Sequence, residues 1–193
     1  MRQMSSTRQF PVVTIAFIAL SVLASLTSAL GSGVPTPLLM NDPGAPFFAS
    51  VAGGEVWRLV TPMFVHFSIL HILFNMMWLW DLGRAIELRK GAFFLGLLVV
   101  ATGTASNLAQ YFITQSPLFG GMSGVVYALL GYFWIQGRIN PNFGMALHQT
   151  TVIMMLVWYV VCWTGLVGPI ANWAHTAGLL MGLAWGLLAG RSR

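Results

Sequence analysis

The chain has 193 residues, of which 57% are hydrophobic and only 7% are charged. A soluble domain carries about 25% charged residues, so this composition excludes water as the main solvent and predicts a polytopic membrane protein. The net charge of +5 comes from basic residues that are scattered between apolar runs. They form no continuous basic face, and the chain is therefore not expected to bind nucleic acid.

The chain begins with a short polar tail, residues 1–10, which we expect to lie in the cytoplasm. The apolar run from Val12 to Leu30 is about as long as a membrane span, which needs about 20 residues. A signal peptide is the alternative, because the end of the run weakly resembles a cleavage site. We favour an uncleaved first helix, since the run is longer than a usual signal segment.

A long outer loop, residues 31–66, separates this first helix from the next apolar run. Several prolines and paired glycines in the loop exclude a spanning helix. Its second half is too apolar for a solvated loop, so we expect it to pack in the membrane interface. Trp57 and Arg58 are typical of side chains at the level of the lipid headgroups.

Five further apolar runs complete an all-α bundle of six transmembrane helices, in a membrane domain of residues 11–190 with no soluble domain. These runs are Ile69 to Leu82, Ala92 to Ile113, Ser123 to Gln136, Ala146 to Val167 and Trp173 to Leu188. With six spans, every Lys and Arg except Arg58 falls on one side of the membrane. Basic residues mark the cytoplasmic side, so both termini are predicted to be cytoplasmic.

Four polar side chains occur near the outer ends of these spans. His71 and Asn75 share one helix face, Ser123 opens the fourth span, and His175 lies near the start of the sixth. Polar groups are costly in lipid unless they serve a site. The rise from Ser123 to Arg138 is about 22 Å, less than the ~30 Å hydrocarbon core, which predicts a wet pocket below the outer surface.

Small residues surround the serine and line the sixth span. Gly121 and Gly124 remove side chains next to the serine, so that backbone N–H groups and a neighbouring helix can approach it. Gly178 and Gly182 share a helix face with the histidine of the sixth span and predict close helix packing. On its own, the serine segment is more typical of a packing seam than of a catalytic site.

Together these side chains have the parts for acyl transfer without a metal or a cofactor. Ser123 is a hydroxyl nucleophile, and His175 is a base that can take its proton and pass it to the leaving amine. Because no acid lies near either residue in the predicted bundle, we expect a dyad. The Ser123 N–H, His71 and Asn75 are candidates for the oxyanion hole, and Tyr127 is placed to pack against the histidine ring.

At these residues the chain resembles the rhomboid intramembrane serine proteases, and among them the bacterial GlpG type. The resemblance covers the chain from Glu55 onwards and rests on Gly121-Met-Ser-Gly124, His71-Ile-Leu-Phe-Asn75, Ala174-His175 with Gly178 and Gly182, and Trp57-Arg58. It implies a six-helix rhomboid bundle in a bacterial inner membrane, with the same dyad and oxyanion hole. The implied substrates are single-pass transmembrane proteins, cut within or near the bilayer.

The resemblance also implies that the fifth span and the loop above the fourth span are candidate gates for substrate. Trp158 and Phe74 are the candidate aromatic contact at this gate. Ordinary helix packing explains both residues at least as well.

Three other classes of protein are weighed against this hypothesis. The chain lacks the His-Glu-x-x-His sequence of a zinc protease around His66 and His71. Haem binding would leave Asn75 unexplained. The chain also lacks the internal repeat and the intramembrane acid that are expected of a transporter. The stronger rival is a rhomboid-like protein that captures loose helices without cutting them, although such relatives usually lack the serine or the histidine that this chain keeps.

Overall fold

A computed structural model of the chain describes residues 10–27, 33 and 36–190, and this part is helical without strands. The prediction of an all-α fold is confirmed. The α-helices are α1 Val12–Thr27, α2 Ala49–Ala52, α3 Ile69–Trp78, α4 Arg84–Lys90, α5 Ala92–Thr114, α6 Ser123–Ile139, α7 Gln149–Trp163 and α8 Asn172–Gly190. Short 3₁₀ turns occur at Thr36–Leu38, Val56–Leu59, Thr61–Phe64 and Pro141–Phe143.

The helices do not by themselves establish the predicted membrane spans. Within the described residues, α5 alone is long and apolar enough to cross a membrane by length and composition, whereas the apolar helices α1 and α7 have 16 and 15 residues. The count of six spans is therefore not confirmed and stays a prediction. The polar tail apart from Phe10, and the predicted end of the first span at Leu30, lie outside the described residues.

The predicted second span ends at Leu82, but the helix continues to Lys90. α3 passes through one π turn, Leu79–Gly83, directly into α4. The turn lies against α1, because a Cβ atom at Gly83 would be 3.4 Å from the hydroxyl of Thr14. A helix therefore extends beyond the apolar run that predicted it.

A buried carboxylate joins α4 to the start of α1. Glu87 accepts hydrogen bonds from the N–H groups of Val13 and Thr14, both at 2.8 Å, and from the Thr14 hydroxyl at 2.7 Å. The first N–H groups of a helix have no partner within the helix, and a negative charge there is favoured by the helix dipole. Glu87 thus fixes the beginning of α1, 73 residues earlier in the chain.

The fifth predicted span begins at Ala146, but α7 begins at Gln149. Gly144 has a φ of 68° and His148 has a ψ of 135°, so the chain before Gln149 is not helical. The helix also ends early, at Trp163. The apolar composition of the flanking loops concealed both ends.

Arg58 lies inside the long loop and not at the lipid surface. Arg58 is 3% exposed, and its side chain binds Asp42 at 2.9 Å, Glu55, and two backbone carbonyls of the loop. The prediction of a headgroup anchor was wrong for Arg58, because these oxygens satisfy the guanidinium within the protein. The neighbouring Trp57 is half exposed.

α6 is the central helix, and its residues from Gly124 to Phe133 are all buried. It packs along α8. A Cβ atom at Gly178 would lie 1.9 Å from the carbonyl oxygen of Gly124, and one at Gly182 would lie 2.0 Å from that of Ala128. The backbones of α6 and α8 are therefore in direct contact, which only glycine permits.

We expect Gly182→Ala to destabilise the bundle, because the added methyl group overlaps the carbonyl oxygen of Ala128. Overpacking of this kind costs about 1–3 kcal/mol of unfolding free energy, or more where backbone is involved. Gly96→Ala is the matched control, since a Cβ atom at Gly96 meets nothing closer than 3.9 Å. Thermal unfolding in detergent micelles checks both, and an equal melting temperature for the two variants would contradict the packing.

Candidate active site

The hydroxyl of Ser123 and the imidazole of His175 meet where α6 and α8 begin. Ser123 Oγ lies 2.7 Å from His175 Nε2, a hydrogen-bond distance. His175 is 4% exposed, and its Nδ1 has no hydrogen-bond partner among the described residues. A neutral ring that accepts a proton at Nε2 carries its own proton on Nδ1. This pair has the geometry in which a base activates a nucleophile.

Tyr127 lies one turn after the serine and covers one side of the histidine ring. The two ring centroids are 4.8 Å apart, with the planes inclined by 40°. The Tyr127 hydroxyl donates a hydrogen bond to the carbonyl oxygen of Met155 in α7 at 3.1 Å. Because both ends of its side chain are in contact, Tyr127 restricts the orientation of the His175 imidazole.

The segment before the serine approaches α3 closely at Gly121. Gly121 has a φ of 114°, which favours glycine, and a Cβ atom there would lie 2.6 Å from Nε2 of His71. One turn further along α3, the side-chain amide of Asn75 donates a hydrogen bond to the His71 carbonyl at 2.9 Å. An amide nitrogen has two hydrogens, so the second remains for another acceptor.

Phe74 of α3 and Trp158 of α7 are also brought together. Their ring centroids are 6.5 Å apart, and the side chains are 54% and 50% exposed. Because both rings are half exposed, this contact between α3 and α7 lies at the surface of the bundle.

His66 and His71, the two histidines weighed as zinc ligands, contact each other. The rings of His66 and His71 have centroids 4.9 Å apart. Across the described part of the chain, no three His, Cys, Asp or Glu side chains are grouped so as to hold a metal ion.

A family model for the Rhomboid domain matches residues 53–192, a range that contains all the site residues above. The chain belongs to the rhomboid family. It is 46% identical over 140 residues to each of three proteins named Rhomboid protease GlpG, from Salmonella paratyphi A (strain ATCC 9150 / SARB42), Salmonella choleraesuis (strain SC-B67) and Salmonella newport (strain SL254). Each alignment covers 71% of this chain and 50% of the relative, so the chain spans about half the length of these curated relatives.

His66 holds the segment before the serine of this rhomboid chain, a role that sequence reasoning missed. Its Nε2 accepts a hydrogen bond from the Met122 N–H at 3.3 Å, and its Nδ1 lies 3.0 Å from the Phe64 carbonyl oxygen and 3.2 Å from Ser25 Oγ. Burial, and secondly the nearby His71 ring, lower the pKa of His66 to about 3, so the ring is neutral. The network therefore assigns its proton to Nδ1.

Gln110 is the second residue that sequence reasoning missed. It is buried in α5, and its Oε1 accepts hydrogen bonds from the N–H groups of Trp173 at 3.1 Å and Ala174 at 3.3 Å. These groups belong to the first turn of α8, where they lack partners within the helix. A polar residue inside an apolar run was the only signal, and it did not identify the partner. Gln110 thereby positions the turn that carries His175.

We expect Gln110→Leu to lower stability, because it leaves two N–H groups at the buried start of α8 without an acceptor. The cost of an unsatisfied buried donor is about 1–3 kcal/mol. Gln149→Leu, at an exposed glutamine, is the control. Melting temperatures in detergent micelles measure the effect. If both variants have the melting temperature of the unaltered chain, the two hydrogen bonds of Gln110 do not stabilise the protein.

Proposed function

We propose that this rhomboid chain is an intramembrane serine protease that hydrolyses peptide bonds of single-pass transmembrane proteins within or near the bilayer. The observation that carries the proposal is the 2.7 Å contact between Ser123 Oγ and His175 Nε2. The rhomboid protease name of its Salmonella relatives supports the same activity. No cofactor is needed, since a hydroxyl and a base suffice for acyl transfer.

In the first step, Ser123 Oγ attacks the carbonyl carbon of the scissile bond while its proton moves to His175 Nε2. The imidazolium then gives this proton to the leaving nitrogen, the C–N bond breaks, and an acyl-enzyme remains. Water then attacks the acyl carbon while His175 again acts as the base. The bond from this carbon to Ser123 Oγ breaks, and the serine is free. Tyr127 keeps the ring aligned throughout, because its own ring lies 4.8 Å away.

The negative charge that develops on the carbonyl oxygen needs donors close to Ser123. The Ser123 N–H is the first of α6, where helix N–H groups lack partners and the dipole favours an anion. The second amide hydrogen of Asn75 and the ring of His71, packed against Gly121, supply further donors. A preorganised set of this kind is usually the largest single contribution to catalysis.

The substrate must present an unwound segment to the serine. A peptide bond in an intact helix is shielded by helical hydrogen bonding, so segments with Gly or Pro, which unwind more readily, are preferred. Phe74 and Trp158 form the proposed gate, since separating two half-exposed rings breaks no backbone hydrogen bond. Membrane lipid surrounds this edge of the bundle.

The proposed location is a bacterial inner membrane, with both termini in the cytoplasm. The basic residues of α4 and the end of α6 lie at the end of the bundle opposite the serine. Arg58, the exception in the charge count, is paired with Asp42 and Glu55 and adds no net positive charge to the outer side. The excess of Lys and Arg at the end opposite the serine supports a cytoplasmic location for that end.

We expect Ser123→Ala and His175→Ala each to abolish cleavage of a single-pass test substrate in proteoliposomes, while both variants remain folded. Ser116→Ala and His148→Ala are matched controls and retain activity. Labelling with a fluorophosphonate probe should be lost in Ser123→Ala. Undiminished cleavage by Ser123→Ala would overturn the proposal, and substrate binding without any cleavage by the unaltered chain would favour the non-cleaving alternative.

Asn75→Ala should lower kcat by a factor of about 10² to 10³, which is the usual effect of losing one oxyanion donor. KM should change little, because the donor acts mainly in the transition state. Asn142→Ala, at an exposed amide, is the control. Steady-state kinetics on the same substrate measure both, and an effect on KM alone would exclude Asn75 from the oxyanion hole.

A further inference from the structure

A cavity of about 170 Å³ lies between α6 and α7, at the end of the bundle opposite Ser123. It is formed by the last turns of α6, the connecting segment and the first turns of α7. The lining residues are Trp134, Gly137, Arg138, Ala146, Leu147, Gln149, Val152, Ile153 and Leu156. Apart from Arg138 and Gln149 at its mouth, the cavity presents apolar side chains and backbone.

The cavity adjoins a shallow, open apolar groove that is lined by residues of α7 alone. Ile153 and Leu156 border both spaces, and the groove of about 420 Å³ is completed by Val157, Val160 and Val161. We call the two spaces together the α7 trough. Its length from Gln149 to Val161 is about 18 Å along the helix, close to the ~15 Å of hydrocarbon in one membrane leaflet.

The mouth of the trough carries an uncompensated positive charge. The guanidinium of Arg138 lies 5.7 Å from the centroid of the Trp134 ring and is exposed. Among the described residues, the ion pairs are confined to Arg58, and Glu87 is bound to α1. No carboxylate within that part of the chain is therefore paired with Arg138.

We propose that the α7 trough binds one phospholipid with an anionic headgroup, whose phosphate contacts Arg138 and one of whose acyl chains lies along α7 towards Val161. Gln149 at the mouth offers a further hydrogen-bond donor to the phosphate. An unpaired cation at one end and an apolar channel about one leaflet long match the two parts of such a lipid.

The charge at the mouth favours an anionic lipid over an apolar protein segment. An apolar segment would leave the guanidinium of Arg138 without an anion. A free phosphate ion would leave the apolar length of the trough unused. The trough therefore fits a chain molecule with a charged head.

The cavity end of the trough lies between α6 and α7, whereas Trp158 of α7 faces Phe74 of α3. A lipid in the trough holds the Gln149 end of α7 to α6 and leaves the contact with α3 untouched. The inference concerns binding and does not depend on the proposed proteolysis.

The test measures lipid retention by the purified full chain in detergent micelles, with native mass spectrometry. The probes are dioleoyl phosphatidylglycerol, dioleoyl phosphatidylcholine and glycerophosphoglycerol, which has the headgroup but no chains. We expect retention of phosphatidylglycerol alone, and about a fivefold loss in Arg138→Gln, as expected for one basic residue near an anionic lipid. Ala146→Phe, which narrows the trough, should lower retention as well.

Arg84→Gln is the matched control. Arg84 is also exposed, lies 5.7 Å from the ring of Trp80 and is at the same end of the bundle, but it does not line the trough. An equal loss in both arginine variants would show a general charge effect and overturn the proposal, as would equal retention of the two phospholipids. Binding of glycerophosphoglycerol would show that the site takes a free anion and not a lipid, and it would also overturn the proposal. These outcomes are independent of cleavage, so they do not bear on the proposed protease activity.

Discussion

The direct backbone contact between α6 and α8 is the constraint on which the rest of the structure depends. Gly124 follows Ser123 by one residue and Gly178 follows His175 by one turn, so the closest approach of the helices lies beside the contact between the hydroxyl and the imidazole. Lipid supplies no hydrophobic force between helices, and such pairs are stabilised by close packing of small residues. The 2.7 Å distance between hydroxyl and imidazole is therefore a property of the helix interface.

The irregular segment before the serine is the second requirement of the site. Non-helical backbone at membrane depth must find its hydrogen-bond partners within the protein. Here the long loop provides them, since the Gly121 N–H donates to the Pro62 carbonyl and the Met122 N–H donates to His66. A Cβ atom at Gly120 would lie 2.6 Å from the Val65 carbonyl oxygen. The loop therefore packs against the serine segment and supplies its hydrogen-bond acceptors. Arg58 in turn binds within this loop and fixes its conformation.

Local pattern in the sequence was enough to predict the helical class and to select the polar residues that meet. Ser123 and His175 stand out because they are polar residues near glycines at the ends of apolar runs. That pattern can be recognised from a few neighbouring residues. The bonds of Gln110 and His66 were missed because each joins segments more than 50 residues apart. Helix ends were misplaced where apolar loops continue apolar helices, and the π turn after α3 leaves no mark in composition.

The carboxylate of Glu87 has a consequence for how the protein is made. Val13 and Thr14 leave the ribosome first, but their partner follows 73 residues later, so α1 waits without its cap for about 4–15 s at ordinary rates of translation. During that interval the first N–H groups of α1 lack the carboxylate that accepts from them in the folded protein. The start of the first helix is therefore fixed only once the chain has turned back towards it.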